Sequence, residues 1–420
     1  LYKVGETGEH KAIRTLSSQS LRDVLKGTGK SCDLDAIYKL KAAYLRKQIN
    51  IKVNQDSFAV FMNKFRSRNS FSRITFECLA EEFEREFNFD LVEATRELYD
   101  QHGLAALRVQ DIEQYTGKGN EGPMLAFSVW NSSDVNGIIS AYTDKGDGSR
   151  DLLNVGDFMI RAGECSRICF PLPHSVGGVI LQTNLAQNIP GNYIYNFMEF
   201  PQEVLVHAGR KKLEPFCFLP PSGEIVVDNE DQGFVFFASE TKQSFLGKLL
   251  QNKMIVEDSG VDFLTDNAPG WVSSVYIDAY GFPVRSFLGK KTKNSQARAE
   301  WKTEIPEQGE YGVSIYKLDL DFRYQRQADS VAYYYTLEQG DYRADIVMSF
   351  LRNGLQNIYL SDNLGRKEEY SYQQQMPQCG WIQVGVLPLV KGKVKLILHD
   401  KGAFPEQLVF ADAVKWVKKS

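Results

Sequence analysis

The sequence contains few cysteines, and their spacing matches none of the common uses of this residue. The six are Cys32, Cys78, Cys165, Cys169, Cys217 and Cys379. They are too few for a disulfide framework and lack the CxxC spacing of zinc sites. In a straight strand Cys165 and Cys169 would lie about 13 Å apart, which is too far for a disulfide. We therefore predict that most of the cysteines are buried free thiols and that Cys78 lies in a helical core.

Long hydrophobic runs and one-sided charge are also missing. Apolar runs such as 233–238 are far shorter than the roughly 18 residues that suggest a membrane span. The formal net charge of -4 is spread along the chain, and Lys and Arg form no stripe interleaved with aromatic residues. We thus predict no membrane span and no nucleic-acid partner.

Catalytic signatures are absent from the sequence as well. The metallopeptidase motif His-Glu-x-x-His does not occur, the five histidines are isolated, and there is no Gly-x-Ser-x-Gly nucleophile elbow. Gly27-Thr-Gly-Lys-Ser31 lacks the first glycine and the preceding strand of a phosphate-binding loop, so we interpret it as a helix end and a turn. An enzyme with its own, unrecognised active site is therefore the hypothesis with the least support.

What the sequence does contain is the composition of a globular protein with several domains. Its 420 residues are 43% hydrophobic and 24% charged, and a chain of this length holds two to four domains of ordinary size. We predict an α+β multidomain protein: a small helical domain over 1–116, an immunoglobulin-like β-sandwich over 123–203, and a larger jelly-roll-like β-sandwich over 222–420.

The helical prediction for the first 115 residues depends on two stripes of apolar residues spaced three and four apart. The stripes are Phe58, Phe61, Met62 and Phe65, and then Phe76, Leu79, Ala80, Phe83 and Phe87. Aspartates stand where helices should begin, and glycines where helices should end. The predicted N-caps are Asp33, Asp56 and Asp90, the last with Glu93 three residues on, and the predicted helix ends are Gly27 and Gly103.

The prediction of strands depends on alternating apolar residues between turn-forming stretches. A polar, glycine-rich segment at 116–123 marks a domain boundary. The clearest alternation follows residue 224. Its members are Val313 and Ile315; Ile346, Met348 and Phe350; Ile382, Val384 and Val386; and Val394, Leu396 and Leu398. The segment Lys242 to Lys253 is compatible with a short helix or with a long inserted loop.

Four ordered motifs give the C-terminal part a resemblance to a known family. They lie at 224–234, 299–313, 380–385 and 410–416. Together they resemble the golvesin-like, xanthan-lyase C-terminal domain, which implies a non-catalytic β-sandwich appended to secreted enzymes. The resemblance also implies that Trp301, Trp381 and Trp416 belong to the core. The chain departs from the family pattern in the long stretch between Phe234 and Trp271.

The helical part is similar to a second family. Segments 58–65, 74–83 and 90–104 resemble the helices that close the catalytic domain of gluzincin metallopeptidases of the aminopeptidase N type. In that family a tryptophan-rich segment and a Gly-x-Pro follow; here Tyr99 replaces the tryptophan, and Ala105 or Ala106 the proline. The zinc of such an enzyme would require a catalytic domain upstream of Leu1.

Two groups of residues could bind a ligand, and each can also be explained by a purely structural role without a ligand. Asp228, Asn229, Glu230 and Asp231 supply the oxygen ligands that calcium prefers, but Asp and Asn also favour hairpin turns. The tyrosines could stack on sugar rings if they project from loops, but aromatic residues in strands are mostly core. The tyrosines in question are Tyr333, Tyr334, Tyr335, Tyr370 and Tyr372.

The sequence leads to one functional hypothesis and one alternative. The first is a non-catalytic C-terminal region of a secreted or surface bacterial metallopeptidase-like protein, which supports or positions an upstream catalytic domain. Because the sequence begins at Leu1 without Met or a signal-peptide pattern, we expect it to be a processed chain or a piece of a longer polypeptide. The alternative is a free-standing extracellular protein that binds a glycan or a cell-surface protein. Both imply an extracytoplasmic location, with calcium as the possible cofactor.

Overall fold

The structure is a computed structural model of the chain. It describes residues 7–27, 34–116, 122–144, 151–197, 202–203, 207–221, 223–237, 270–292, 297–318, 320, 330–351, 354–371, 380–404 and 407–419. The chain forms two compact units, the first spanning Thr7–Leu219 and the second beginning at Pro220. Helices precede β-sandwiches, so the predicted α+β class is confirmed. The stretch Lys242 to Lys253 lies outside the described residues.

The first unit begins with six helices. They are α1 (Gly8–Leu16), α2 (Leu21–Lys26), α3 (Leu34–Lys52), α4 (Gln55–Arg68), α5 (Phe76–Phe87) and α6 (Leu91–Asp100). Within the described part of the chain, none of them is long and apolar enough to cross a membrane.

The helix ends agree with the sequence only in part. Asp90 caps α6 and accepts a hydrogen bond from the Glu93 N–H, and Gly27 is the C-cap of α2, both as predicted. The cap of α4 is Asn54, whose side chain accepts from the Asp56 N–H, so the prediction of Asp56 as the cap was wrong by two residues. An uncharged amide at Asn54 accepts this bond as well as a carboxylate does. Asp33 lies outside the described residues.

The core between α4 and α5 is built from phenylalanines of the two predicted stripes. The rings of Phe61 and Phe83 meet edge to face with centroids 5.4 Å apart, and both side chains are buried. Phe76, the first residue of α5, is 44% exposed and contributes little to this core. Cys78 is also exposed, so its predicted core position was wrong. It lies in the first turn of α5, where the apolar face is not yet covered.

Nine strands follow the helices in the part of the first unit that the structure describes. They are β1 (Leu107–Thr116), β2 (Pro123–Asn131), β3 (Gly137–Asp144), β4 (Leu152–Ile160), β5 (Cys165–Pro171), β6 (Gly178–Asn184), β7 (Asn192–Asn196), β8 (Gln202–Glu203) and β9 (Gly209–Lys212). One sheet has the order β8-β1-β2-β5-β9, and the other has the order β4-β3-β6-β7. A short 3₁₀ helix, Pro215–Phe218, ends the unit.

The predicted helical region was wrong over its last ten residues. β1 pairs with β2 in antiparallel register from Leu107 opposite Asn131 to Thr116 opposite Pro123. A bulge near Asp111, which has φ of 50°, interrupts the alternation of β1, so the period-2 pattern is hard to see in the sequence. The sheet also continues beyond residue 203, because β9 pairs with β5.

The helices and the sandwich of the first unit are joined by a polar contact. Lys47 Nζ on α3 lies 2.9 Å from Asp157 Oδ1 on β4, and both side chains are largely buried. Asp157 Oδ1 also accepts hydrogen bonds from Ser140 and Asn154. Cys165 and Cys169 on β5 are buried free thiols, as predicted. Cys217 is exposed, and Cys32 and Cys379 lie outside the described residues.

Fourteen strands make up the regular structure in the described residues of the second unit. They are β10 (Glu224–Val227), β11 (Phe234–Phe237), β12 (Val272–Val275), β13 (Ser286–Lys291), β14 (Arg298–Ile305), β15 (Gly309–Lys317), β16 (Ser330–Gln339), β17 (Tyr342–Leu351), β18 (Gly354–Asp362), β19 (Lys367–Ser371), β20 (Gly380–Leu389), β21 (Gly392–His399), β22 (Leu408–Ala411) and β23 (Val414–Lys418). The sheets have the orders β10-β23-β15-β20, β11-β14-β21-β16-β17-β18-β19 and β12-β13-β22.

The alternating residues predicted for these strands form one large core. All are buried except Val386, which is half-buried because a bulge in the β15–β20 pairing shifts the inward position to Leu387. Trp301 and Trp416 are fully buried, as predicted. Trp381 is only half-buried at the start of β20, and its ring meets that of Tyr280 edge to face with centroids 5.0 Å apart, so its predicted core position holds in part.

Candidate functional site

The predicted calcium turn lies between β10 and β11 and is held by its own hydrogen bonds. The Asp228 N–H donates to Asp231 Oδ2 at 2.8 Å, and the Asn229 N–H donates to Asp228 Oδ1 at 2.8 Å. Ser286 Oγ on β13 donates to Glu230 Oε1 at 2.6 Å. Within the described part of the chain, no group of three or more His, Cys, Asp or Glu is arranged to hold a metal ion. The four residues therefore form the hairpin turn, and calcium at this turn stays a prediction.

One residue of this turn meets a distant aspartate. Asp228 is 6% exposed, and Asp412, between β22 and β23, is 3% exposed. Asp412 Oδ2 accepts from the Tyr280 N–H at 3.0 Å. Gly281 follows Tyr280 in the chain. Asp228 Oδ2 lies against Gly281, 2.7 Å from the position that a Cβ atom would occupy on this glycine. Both carboxyl groups thus face the same short backbone segment, and we call Asp228 and Asp412 the acid pair.

The electrostatics of the acid pair are unusual for a folded interior. Burial raises the pKa of Asp228 to about 8, and the carboxylates of Asp231 and Glu230 add to the shift. Burial also raises the pKa of Asp412 well above its usual range, with Asp228 adding to it. Asp412 Oδ1 has no hydrogen-bond partner within the residues that the structure describes. Such a pair needs a proton or a cation to be stable.

Asp412 did not emerge as a site residue from the sequence, although the motif around it did. It stands between Ala411 and Ala413 in a strand run that is otherwise apolar. A single carboxylate within a run of apolar residues, which predicts burial, was the signal that could have identified Asp412. Its partner lies far away in the sequence, so spacing alone could not link the two.

Two of the predicted sugar-stacking tyrosines are core residues. Tyr333 is 5% exposed and Tyr335 is 3% exposed, so they form no exposed platform. Both are on the inward face of β16 and line a small cavity with room for about one water molecule, together with Lys317 and Phe350. Tyr334 faces the other way and is half-buried, with Lys401 Nζ 4.4 Å from its ring centre.

Tyr370 belongs to a half-exposed polar group at the edge of the second unit's large sheet. Its hydroxyl donates to Glu368, and Glu368 Oε1 lies 2.5 Å from Arg366 Nη2. Arg366 Nη1 donates to the Val386 carbonyl of β20 at 2.7 Å. We call Arg366, Glu368 and Tyr370 the edge cluster. Tyr372 lies outside the described residues.

The edge cluster stands between two strands that each end a sheet. β19 is the last strand of the seven-stranded sheet, and β20 is the last strand of the four-stranded sheet. The hydrogen bonds from Tyr370 and Arg366 lower the pKa of Glu368, so this carboxylate is charged at neutral pH. The pKa of Tyr370 is raised by burial and by its bond to Glu368. A fixed carboxylate, a guanidinium and an aromatic ring thus lie together at a partly open edge.

Comparisons with known proteins found only weak structural likenesses. No protein-family model and no curated protein matches the chain. A Paenibacillus xanthan lyase overlaps with a TM-score of 0.27 and 13% identity, over 76% of this chain and 26% of that one. A Bacteroides uniformis β-glucuronidase overlaps with a TM-score of 0.19 and 10% identity, over 76% of this chain and 30% of that one. The chain thus spans less than a third of either enzyme, and likenesses this weak carry no argument about function.

Proposed function

We propose that this chain is a non-catalytic accessory region whose second unit binds polysaccharide at the edge cluster. The proposal is supported chiefly by one observation, the half-exposed row formed by Arg366, just before β19, and by Glu368 and Tyr370 on β19. Carboxylate and guanidinium groups bind neighbouring hydroxyls of a sugar, and the face of a tyrosine packs against the ring.

The order of the cluster supports binding without large rearrangement. Glu368 is already fixed by Tyr370 and Arg366, and Arg366 is fixed by the Val386 carbonyl. Groups that are held in place before a ligand arrives lose little conformational freedom on binding. β19 and β20 are each the last strand of a sheet among the described strands, and we propose that an extended sugar chain lies along this edge.

The experiment is affinity gel electrophoresis of the full chain in gels that contain different polysaccharides. We expect at least one polysaccharide to slow the wild-type protein. Tyr370→Ala should weaken that binding about tenfold or more, which corresponds to about 1.4 kcal/mol. Thermal unfolding of the variant checks that it still folds.

Tyr359→Ala is the matched control. Tyr359 is 41% exposed on the neighbouring strand β18, and it faces the opposite side, since Ile358 is the residue that pairs with Tyr370. It should leave the retardation within about twofold of the wild type. The proposal is wrong if no polysaccharide slows the wild type, or if both substitutions have the same effect.

A narrower proposal places this region beside a metallopeptidase domain in an extracytoplasmic protein. It is supported by the resemblance of segments 58–65, 74–83 and 90–104 to gluzincin helices. The coding sequence that precedes Leu1 tests it directly. A His-Glu-x-x-His segment there would support the proposal, and an encoded start at Leu1 would refute it.

A further inference from the structure

The acid pair has no role in the proposed glycan site, and no cationic side chain is among the groups that shift the pKa of either carboxyl group. The charged groups that act on Asp228 are carboxylates, those of Asp231 and Glu230. The charged group that acts on Asp412 is Asp228. Asp412 Oδ1 is buried without a hydrogen-bond partner among the described residues. The two carboxyl groups of the acid pair therefore form a site where a positive charge would be strongly favoured.

We propose that Asp228 and Asp412 are the two carboxylate ligands of a calcium site in the second unit. The proposed ligand oxygens are Asp228 Oδ2, which lies against Gly281, and Asp412 Oδ1, which is buried without a partner among the described residues. Main-chain carbonyls and water would complete the shell, as they do in many calcium sites. The Val284 carbonyl is a candidate calcium ligand, because its oxygen and Asp228 Oδ2 both lie close to Gly281. The two oxygens are 2.2 and 2.7 Å from the position that a Cβ atom would occupy on this glycine.

The chemistry of the site favours calcium over other metals. Aspartate and backbone oxygens are hard ligands, which suit calcium and magnesium better than zinc or copper. Magnesium requires a nearly regular octahedral shell at shorter distances, which two carboxylates from separate turns do not readily provide. Calcium accepts irregular shells of six to eight oxygens and so fits two carboxylates from distant loops. This assignment differs from the predicted turn site, since it keeps Asp228 and adds Asp412.

Calcium and protons should compete for this pair. Without calcium, a proton on one carboxyl group lowers the repulsion between the two. When calcium binds, that O–H bond breaks, the proton leaves to solvent, and both carboxylates coordinate the ion. Binding should therefore strengthen as the pH rises from 5 to 8.

The first experiment is thermal unfolding of the full chain with calcium or with a chelator, at pH 5 and at pH 8. Calcium about 100-fold above its Kd should raise the Tm by roughly 5–10 °C at pH 8. The rise should be clearly smaller at pH 5. Asp412→Asn should abolish the calcium effect while leaving a folded protein, because it removes a ligand charge without changing the shape of the side chain.

Asp341→Asn provides the matched control, because Asp341 is an exposed turn residue of the same unit. It should keep the full calcium effect. A second readout uses terbium in place of calcium. Trp301 Nε1 donates to the Asp412 carbonyl at 2.9 Å, so the indole lies beside the site and should sensitise terbium emission. Asp412→Asn should remove this emission, and Asp341→Asn should not.

The proposal fails if calcium leaves the Tm unchanged at pH 8, or if Asp412→Asn keeps the full calcium effect. A Tm that depends on pH but not on calcium would assign a shared proton to the pair and would also overturn the proposal. None of these results bears on polysaccharide retardation, so the two proposals can fail separately.

Discussion

Two deeply buried polar side chains, Asn188 in the first unit and Asp412 in the second, differ in whether their polar atoms have partners. In the first unit, Asn188 is 1% exposed, and both ends of its amide have partners on the backbone of Leu107. The Leu107 N–H donates to Asn188 Oδ1 at 3.0 Å, and Asn188 Nδ2 donates to the Leu107 carbonyl at 2.8 Å. In the second unit, Asp412 is as deeply buried, yet Oδ1 has no partner among the described residues.

The difference is one of partners, since both units bury carboxylates. Asp157 in the first unit has Lys47, Ser140 and Asn154 around it. A buried carboxylate with a cation and donors can stay charged, whereas one facing another carboxylate must take up a proton or a cation. Asp157 thus stabilises the fold of the first unit, whereas the acid pair depends on a proton or on the cation that we propose for it.

The pH dependence of stability gives the largest expected effect. The pKa of Asp228 is about 8 in the folded chain and 3.8 in an ordinary setting, so the folded chain holds this proton more tightly than the unfolded chain does. Its contribution to stability is complete below pH 4 and is lost as the pH rises through 8. With chelator present, we expect a loss of roughly 2–5 kcal/mol over this window.

Urea unfolding of the wild type and Asp228→Asn at several pH values measures this loss. The difference between the two curves isolates the contribution of Asp228 from that of other titrating groups. Parallel curves from pH 4 to pH 9 would show that the pair is not the origin of the pH dependence.

Removing the satisfied amide should have a smaller effect without any pH dependence. Asn188→Ala leaves the Leu107 N–H buried without its partner, whereas the Leu107 carbonyl still accepts from the Tyr193 hydroxyl at 3.2 Å. We expect a loss of about 1–3 kcal/mol in urea unfolding. Asn196→Ala, at an exposed position of β7, is the control and should change little. A loss below about 0.5 kcal/mol for Asn188→Ala would show that water replaces the amide.

The sequence predicted the parts of the fold that repeat locally and missed those that depend on distant partners. The apolar stripe around Phe61 and Phe83 and the alternation of β17 and β21 are periodic, and both were found. β1 was missed because its bulge at Asp111 breaks the alternation. Tyr333 and Tyr370 could not be told apart, since their exposure is decided by the position of each strand in its sheet.

The residues of the candidate site were likewise predicted only where a local pattern marks them. Asp228 was found because it lies in a turn with other acidic residues. Asp412 becomes visible only when the pairing of β10 with β23 brings Val227 opposite Val414. The edge cluster likewise depends on the proximity of β19 and β20, the last strands of two sheets, and no local sequence pattern predicts this proximity.

A third prediction concerns Lys47, the cation that pairs with the buried carboxylate of Asp157. Lys47→Met keeps most of the side-chain volume and takes away the ion pair with Asp157. We expect a loss of about 1–3 kcal/mol at neutral pH, because two hydrogen bonds to Asp157 remain. Urea unfolding measures it. Lys39→Met is the control, since its ion pair with Asp35 is highly exposed and contributes little. Equal effects of the two substitutions would mean that burial does not strengthen the Lys47 pair.

The smallest effect compares an amide and a carboxylate at the start of one helix. Asn54→Ala removes the side-chain oxygen that accepts from the Asp56 N–H and should destabilise the first unit by about 1 kcal/mol. Asp56→Ala removes a charge from the first turn but no cap, so it should lose only about 0.3–0.5 kcal/mol. Thermal unfolding at low and high salt separates the two, because screening weakens the charge effect and leaves the hydrogen bond unchanged. If Asp56→Ala had the larger effect, the capping role would belong to the carboxylate after all, and the amide at Asn54 would be incidental.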